Sequence, residues 1–236
     1  MKMVKIGMIL LTALSFSAIQ AQTADEIVNK YIDAVGGKDK LAQIKTVYME
    51  NTSEVMGNSG PSTINIVNGL GYKMTSDFNG QTVIICVTDK GGWQVNPFAG
   101  AATASPLPDD VIKQTKGRMD ATGPLYNYAA KGNKVELLGK EGNDYKLKVT
   151  SADSTVYTMY IDGTTYYLTK IVTTATVMGS PVEAVTNFSN FKKADMGLVF
   201  PYTIEINYGQ FVINTTVNKI ELNKTIDPSI FEMPKS

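Results

Sequence analysis

From residue 46 to residue 222, the sequence is a succession of short segments in which apolar and polar residues alternate between tight turn signals. Asn79-Gly80 and Asp162-Gly163 are dipeptides typical of the turns that join antiparallel strands. Residues 145–149 show the alternation clearly, because an aromatic or aliphatic side chain precedes and follows each lysine. The pattern predicts about ten or eleven strands and restricts the chain to a mainly β (α+β) fold.

A helix is predicted ahead of the strands. Thr23 and Glu26 have the spacing of a capping box, in which each side chain binds the other residue's backbone N–H. The apolar residues that follow recur at helical spacing: Ile27, Val28, Tyr31, Ile32 and Val35. Gly36-Gly37 then ends the helix, because glycine adopts the left-handed conformation without strain. A short second turn or helix over residues 38–44 leads into the first strand.

Two strand segments carry further information. Residues 83–87 are apolar at every position, which predicts a strand in the middle of the sheet and a buried, unreactive Cys86. In the last long strand, the apolar positions change from odd-numbered to even-numbered residues. This change predicts a β-bulge near Asn218 or Lys219, and bulges bend sheets.

Residues 97–131 interrupt the strands with four prolines and a predicted helix start at Pro108. The side chains of Val111, Ile112, Thr115 and Met119 would share one face of that helix. We therefore expect a loop and short helices between two blocks of antiparallel strands. A sheet of this size must close, stack or be covered. The sequence thus predicts a strongly curved half-barrel, with the N-terminal helix and the short helices covering its concave face.

The first 21 residues have the features of a secretory signal peptide. Lys2 and Lys5 precede an apolar run over residues 6–16, and the small residue Ala21 marks the expected cleavage site. The run is too short to span a bilayer as a helix, which needs about 20 residues. We therefore expect a signal peptide over residues 1–21 and a single domain over 22–236 without a transmembrane segment. The product would be exported, periplasmic and soluble.

Three residue counts exclude many catalytic and metal-binding mechanisms. The chain has no histidine, one cysteine and one arginine, Arg118. Histidine-based triads, histidine-containing zinc sites, cysteine clusters and disulfides therefore cannot form within the chain. Ser189 and Lys192 match an S-x-x-K acyltransferase pattern, but they fall in a predicted strand, where their side chains face opposite sides. Equal numbers of basic and acidic residues argue against binding to nucleic acid. We predict no catalytic residue, no cofactor and no metal site.

Four short motifs recur in a known family. They are K-L-A-Q-I-K-T-V at residues 40–47, G-G-W-Q-V-N-P-F at 91–98, G-L-V-F-P at 197–201 and N-K-T-I-D-P-S-I-F-E-M-P at 223–234. With these motifs in this order, the chain resembles the LolA/LolB-like proteins of Bacteroidota, a type related to outer-membrane lipoprotein sorting. The resemblance implies a curved antiparallel half-barrel with helices across its open side and an apolar cavity between them.

The resemblance also implies a function. In the lipoprotein carriers of the family, the cavity receives acyl chains, and an arginine on an early strand helps to hold the lid closed. Here the only arginine is Arg118, in the loop-helix segment. We therefore expect a carrier or binding protein for lipid, lipoprotein acyl chains or another apolar ligand, and the departure at the arginine favours a cargo other than a lipoprotein.

The segment that interrupts the sheet supplies the candidate residues of a ligand cavity. They are Trp93, Phe98, Met119, Leu125, Tyr126 and Tyr128. An acyl chain needs only apolar walls, since each buried CH₂ gains about 0.8 kcal/mol. Aromatic and methionine side chains are equally common as core fillers, so these residues could instead plug the core beneath the helices. The alternative function is then a structural or interaction module of a cell-envelope assembly, with protein partners and no ligand; an enzyme is the third hypothesis.

Overall fold

The computed structural model describes residues 22–177 and 179–234, and its architecture is one open, curved antiparallel sheet of 13 strands with few helices. The predicted signal peptide and its cleavage after Ala21 lie outside the described residues. The helices are α1 (Ala24–Ala34), α2 (Lys38–Leu41) and α3 (Asp109–Lys116). The strands are β1 (Thr46–Val55), β2 (Asn58–Val67), β3 (Gly71–Phe78), β4 (Gln81–Thr88), β5 (Gly91–Asn96), β6 (Ala101–Pro106), β7 (Lys134–Glu141), β8 (Asp144–Thr150), β9 (Val156–Ile161), β10 (Leu168–Val177), β11 (Ser180–Lys193), β12 (Val199–Asn207) and β13 (Val212–Leu222). None of the helices in this part of the chain is long and apolar enough to cross a membrane.

The sheet consists of two meanders joined in the middle. Strands β1 to β6 lie side by side in chain order, strands β7 to β13 do the same, and β1 pairs with β13 between the two sets. The strand count exceeds the predicted ten or eleven. One strand that the prediction lacked is β6, which forms in the proline-rich segment where we expected only a loop and short helices. Pro106 is tolerated there because β6 is an edge strand.

Helix α1 forms as the sequence predicts. The Glu26 N–H donates to the Thr23 hydroxyl and the Thr23 N–H donates to the Glu26 carboxylate, both at 3.2 Å, so the capping box is complete. The apolar stripe of α1 packs into the main hydrophobic cluster, in which Ile27 is fully buried. The face of the sheet that carries α1 is called the inner face below, and the opposite face is called the outer face.

The contacts of α3 show that the sheet curves strongly. This helix packs against β4 and β5 near one edge and also against β10, on the far side of the sheet. Strands β4 and β10 are seven positions apart, which is about 33 Å in a flat sheet. The eight residues of α3 span only about 12 Å. The two meanders must therefore curl toward each other, which fits the predicted half-barrel.

Residues of α3 make contacts on two sides of the helix. Val111 and Ile112 pack with Met119 into a second hydrophobic cluster beneath the helix, as predicted. The Gln114 amide binds the end of β10: its Nε2 donates to the Thr176 hydroxyl (2.9 Å), and its Oε1 accepts from the Thr176 N–H (3.1 Å). The helix thereby ties the two meanders together across the open side.

The predicted bulge lies in the ladder that joins the two meanders. Glu50 pairs with Lys219 and Asn51 pairs with Val217, so Asn218 is the extra residue of β13. A bulge bends its strand and increases the local twist. This prediction is confirmed, and the bend falls where the two halves of the sheet meet.

Strand β4 is apolar on both faces, but it is the third strand from the β6 edge and not in the middle of the sheet. On the inner face, Val87 belongs to the cluster beneath α3. On the outer face, Cys86 is fully buried with Trp93 and Phe231. Both faces of β4 are therefore covered, the inner one by α3 and the outer one by the C-terminal segment, defined as residues 226–233.

Three side chains of the outer face hold the C-terminal segment through its backbone. The indole Nε1 of Trp93 donates to the carbonyl of Phe231 (2.8 Å), and the thiol of Cys86 donates to the same oxygen (3.4 Å). The Lys73 ammonium donates to the carbonyl of Ile230 (3.0 Å). The segment is thus fixed by directed bonds as well as by apolar contact.

We predict that Phe231→Ala destabilises the protein by about 3 kcal/mol, because it removes a buried aromatic side chain and leaves a cavity on the outer face. Met233→Ala is the matched control, since Met233 is 42% exposed and should change stability by less than about 0.5 kcal/mol. Urea unfolding followed by Trp93 fluorescence measures both changes. Equal effects of the two substitutions would contradict the role given to Phe231.

Burial raises the pKa of the Cys86 thiol to about 11, against the opposing influence of Lys73 and Trp93. We expect no reaction of the native protein with a thiol-specific disulfide reagent at pH 8, and one equivalent after unfolding.

Between about pH 9 and about pH 11, the Cys86 thiol stays protonated in the folded state but loses its proton in the unfolded chain. The free energy of unfolding therefore falls as pH rises across that interval. The stability difference between wild type and Cys86→Ala should therefore shrink over that interval; a constant difference would refute the assignment.

Candidate functional site

The strand register identifies which side chains lie on the inner face. Directly paired residues of neighbouring strands point to the same face, and so do residues two apart on one strand. Val47 belongs to the cluster that contains α1. Val47 pairs with Ile66, Ile66 pairs with Tyr72, and Tyr72 pairs with Val87. These four residues therefore lie on the inner face, and the same rule can be followed around the rest of the sheet.

The central side chains of the inner face are apolar but only half buried. On β1 to β4 they are Met49, Val55, Ile64, Met74 and Ile85, and on β10 to β13 they are Ile171, Phe188, Ile204, Ile206 and Ile213. By contrast, Leu147 and Met159 beneath α1 are 0% and 1% exposed. We call the ten half-buried residues the inner trough. It presents apolar surface that neither α1 nor α3 covers completely.

Four of the six predicted cavity residues lie in the packed clusters that border the trough. Leu125 and Tyr126 are buried in the main cluster with α1, and Tyr128 packs against that cluster. Met119 is buried in the cluster beneath α3. These side chains fill space beneath the helices, as the core-filling interpretation of the sequence allowed.

The other two predicted residues lie elsewhere. Trp93 is buried on the outer face beneath the C-terminal segment. Phe98 is 67% exposed in the 3-10 turn Pro97–Ala99. The structure therefore does not bring all six together. Sequence reasoning missed the trough residues because strand alternation separates the two faces of a strand without showing which face remains open.

Arg118 reaches the inner side of the sheet from the 3-10 turn Gly117–Met119, which directly follows α3. Its Nη1 donates to the Tyr72 hydroxyl (3.3 Å), and the guanidinium lies 5.7 Å from the centroid of the same ring. Tyr157 and Tyr208 also interact electrostatically with it. Burial raises the pKa of Tyr157, an effect that the positive charge of Arg118 opposes.

A short polar row crosses the inner face beside the trough. The Ser53 hydroxyl is hydrogen-bonded to Ser62 (3.0 Å) and to Thr215 (3.2 Å). Asn51, which pairs with Ser62 in the ladder, is 3% exposed, and neither end of its side-chain amide has a hydrogen-bond partner among the described residues. A buried amide without partners destabilises a fold, and the packing around Asn51 does not explain its presence on the inner face.

The outer face offers a different surface. A groove over β8 to β11 is lined by three charged side chains, Lys146, Lys170 and Glu183, together with Thr158, Tyr160, Val172 and Val185. The Lys170 ammonium lies 3.7 Å from the centroid of the Tyr160 ring. This groove suits a polar or charged ligand, whereas the inner trough suits an apolar one.

The structure also locates the residues of the sequence patterns for other chemistries. Ser189 and Lys192 both lie in β11, as predicted, so they do not form the adjacent helical turns that an S-x-x-K site needs. Within residues 22–177 and 179–234, no group of three or more Cys, Asp or Glu side chains is placed to hold a metal ion.

Similar architectures occur in solved structures. The LolA superfamily protein NE2245 from Nitrosomonas europaea is 14% identical, with a TM-score of 0.56, over 90% of this chain and 98% of that one. The fold is LolA-like. A DUF1329 family protein from Desulfovibrio piger is 12% identical, with a TM-score of 0.54, over 89% of this chain and 97% of that one. A domain described as an outer membrane lipoprotein-sorting protein from Vibrio parahaemolyticus is 12% identical, with a TM-score of 0.52, over 87% and 94% of the two chains. No family model and no curated protein matches the sequence.

We predict that Asn51→Leu stabilises the LolA-like fold by about 1 kcal/mol, because an unpartnered buried amide is replaced by an apolar side chain of similar size. Asn214→Leu is the control, since Asn214 is exposed on β13 and should show no gain. Thermal unfolding of both variants measures the effect. A loss of stability in Asn51→Leu would show that the amide has partners in solution.

Proposed function

We propose that this protein is an exported, periplasmic, non-catalytic carrier or binding protein for lipid, acyl chains or another apolar ligand. The observation that carries the proposal is the inner trough, where ten apolar side chains from both meanders remain half buried. Apolar surface exposed on a concave face is typical of ligand-binding sites. The basic start, apolar run and small residue at positions 2–21 support export.

The LolA-like fold supports the same proposal by analogy. Two of the similar structures carry names that refer to LolA or to lipoprotein sorting. A fold alone does not determine a function; the inner trough carries the proposal, and the LolA-like fold adds to it. The cargo stays open between a lipoprotein acyl chain and another lipid.

The energetics of such a site require no reactive group. A saturated 16-carbon chain has about 14 methylenes, and their burial would gain roughly 11 kcal/mol before the costs of association. Those costs are about 4 kcal/mol or more for a small ligand. Micromolar binding, about −8 kcal/mol, is therefore compatible with partial burial of one acyl chain.

Three of the four predicted residues in packed clusters are buried: Leu125, Tyr126 and Met119. Substitution of these residues would disturb the packed core, so a loss of binding in such variants would not by itself locate the ligand. The half-buried residues of the trough are the informative positions.

We expect the purified protein to release lipid on extraction with organic solvent and to bind a fluorescent fatty acid in a saturable manner. Native mass spectrometry and fluorescence titration measure the two properties. If the protein carries no lipid and takes up no fatty acid, the carrier proposal fails. The remaining function would then be the structural or interaction module of an envelope assembly.

Two neighbouring substitutions on β10 locate the bound ligand. Ile171 lies on the inner face and Val172 on the outer face, and both are half buried. Ile171→Gln should weaken binding of the fluorescent fatty acid about tenfold, because a polar group in an apolar site costs about 1–3 kcal/mol. Val172→Gln should change it less than about twofold. The reverse order would place the ligand in the outer groove and would contradict the trough.

A further inference from the structure

Arg118 combines a fixed backbone position with a side chain that reaches the inner face. It is the only arginine of the chain, and its side chain is exposed, although its neighbour Met119 is buried in the cluster beneath α3. The side chain therefore extends from a fixed anchor over the open side of the sheet. The 3-10 turn that carries it follows the helix that ties the two meanders together.

Tyr72 contacts the guanidinium, and two further tyrosines lie within range of its charge. Tyr72 comes from β3, Tyr157 comes from β9, and Tyr208 follows β12. Tyr72 and Tyr157 lie on the inner face by the register of their pairs with Val87 and Val149. One cation and several phenolic hydroxyls thus converge where the two meanders face each other.

This cation has no acidic partner among the described residues. The seven ion pairs found there all involve lysines. Asp153, whose charge reaches Tyr157, is hydrogen-bonded by the Ser151 hydroxyl and the Thr155 N–H, and it is attracted by Lys113. A permanently charged guanidinium thus lies beside an apolar trough without an ion-pair partner among residues 22–177 and 179–234.

The geometry points to an anionic amphiphile as the ligand: we propose that Arg118 and the hydroxyl of Tyr72 bind its head group while its alkyl chain lies along the inner trough. This inference rests on the proposed carrier function and specifies its ligand class. The guanidinium presents paired N–H donors that match a carboxylate or a phosphate, and charge-assisted bonds of this kind are about twice as strong as neutral ones. A free fatty acid and a lipid phosphate share this chemistry.

The test compares ligands that have one tail and different heads. Dodecanoate, dodecyl phosphate and dodecanol are used to displace a neutral fluorescent alkyl probe from the full mature protein. We expect at least one of the two anions to bind ten or more times more tightly than the alcohol. The stronger anion then identifies the head group as a carboxylate or as a phosphate.

Three variants assign that preference to Arg118. In Arg118→Gln the anion should lose about tenfold in affinity while dodecanol binding stays within twofold. Arg118→Lys should retain part of the preference, because it keeps the charge and loses the paired donors. Lys116→Gln removes an exposed positive charge two residues away and should change neither ligand, which excludes a general charge effect. Circular dichroism of each variant checks that the fold is intact.

The outcomes separate the two proposals. If all three ligands bind equally to the wild type, the head-group site is wrong and the carrier function stands. If Arg118→Gln weakens the anion and the alcohol alike, Arg118 serves only to pack against Tyr72 and the inference is overturned. If neither the probe nor any of the three ligands binds to the protein, the carrier function fails and the head-group site fails with it.

Discussion

The pairing of β1 with β13 is the interaction on which the rest of the structure depends. It joins the two meanders into one sheet, and it is closed at one end by Asn223, whose side chain accepts from the Lys45 N–H (2.7 Å) and whose N–H donates to the Thr46 carbonyl (2.9 Å). The bulge at Asn218 in this ladder bends the sheet where the halves meet. Without this pairing α3 would pack against only one of the two meanders, and the trough would lose the apolar residues of the other meander.

The local features of the fold could be predicted from sequence because short-range chemistry determines them. The capping box of Thr23 and Glu26 is an example, and Gly36 ends α1 as expected. The structure adds a tertiary reason at Gly36, since a Cβ there would lie 2.7 Å from Leu198. By contrast, the sequence did not predict β6. Proline usually argues against a strand, but it is tolerated in a strand at the edge of a sheet. Trp93 was expected in the cavity because sequence shows that a strand has two faces but not which of them the C-terminal segment covers.

The candidate site was harder to predict because it is defined by incomplete burial. The sequence shows that Ile171 and Ile206 are apolar, but the same pattern describes a filled core. Only the register of all 13 strands shows that these residues share one face with Tyr72. Arg118 drew attention in the sequence as a departure from the lipoprotein carriers. In the structure its guanidinium, which forms no ion pair with the described residues, lies beside apolar surface. The residue that argued against a lipoprotein cargo is therefore also the residue that suggests an anionic one.

The C-terminal segment has a consequence for the order in which the protein folds. The first strand of the sheet needs the last strand as its neighbour, and the outer face of β3 to β5 needs Phe231 to cover it. A chain that is still emerging from the ribosome therefore has strands from its first half with no complete partner, and non-local pairing of this kind is slow. The first meander cannot reach its final packing until residues 226–233 have been synthesised. Its outer face therefore stays uncovered while the whole of the second meander is being made.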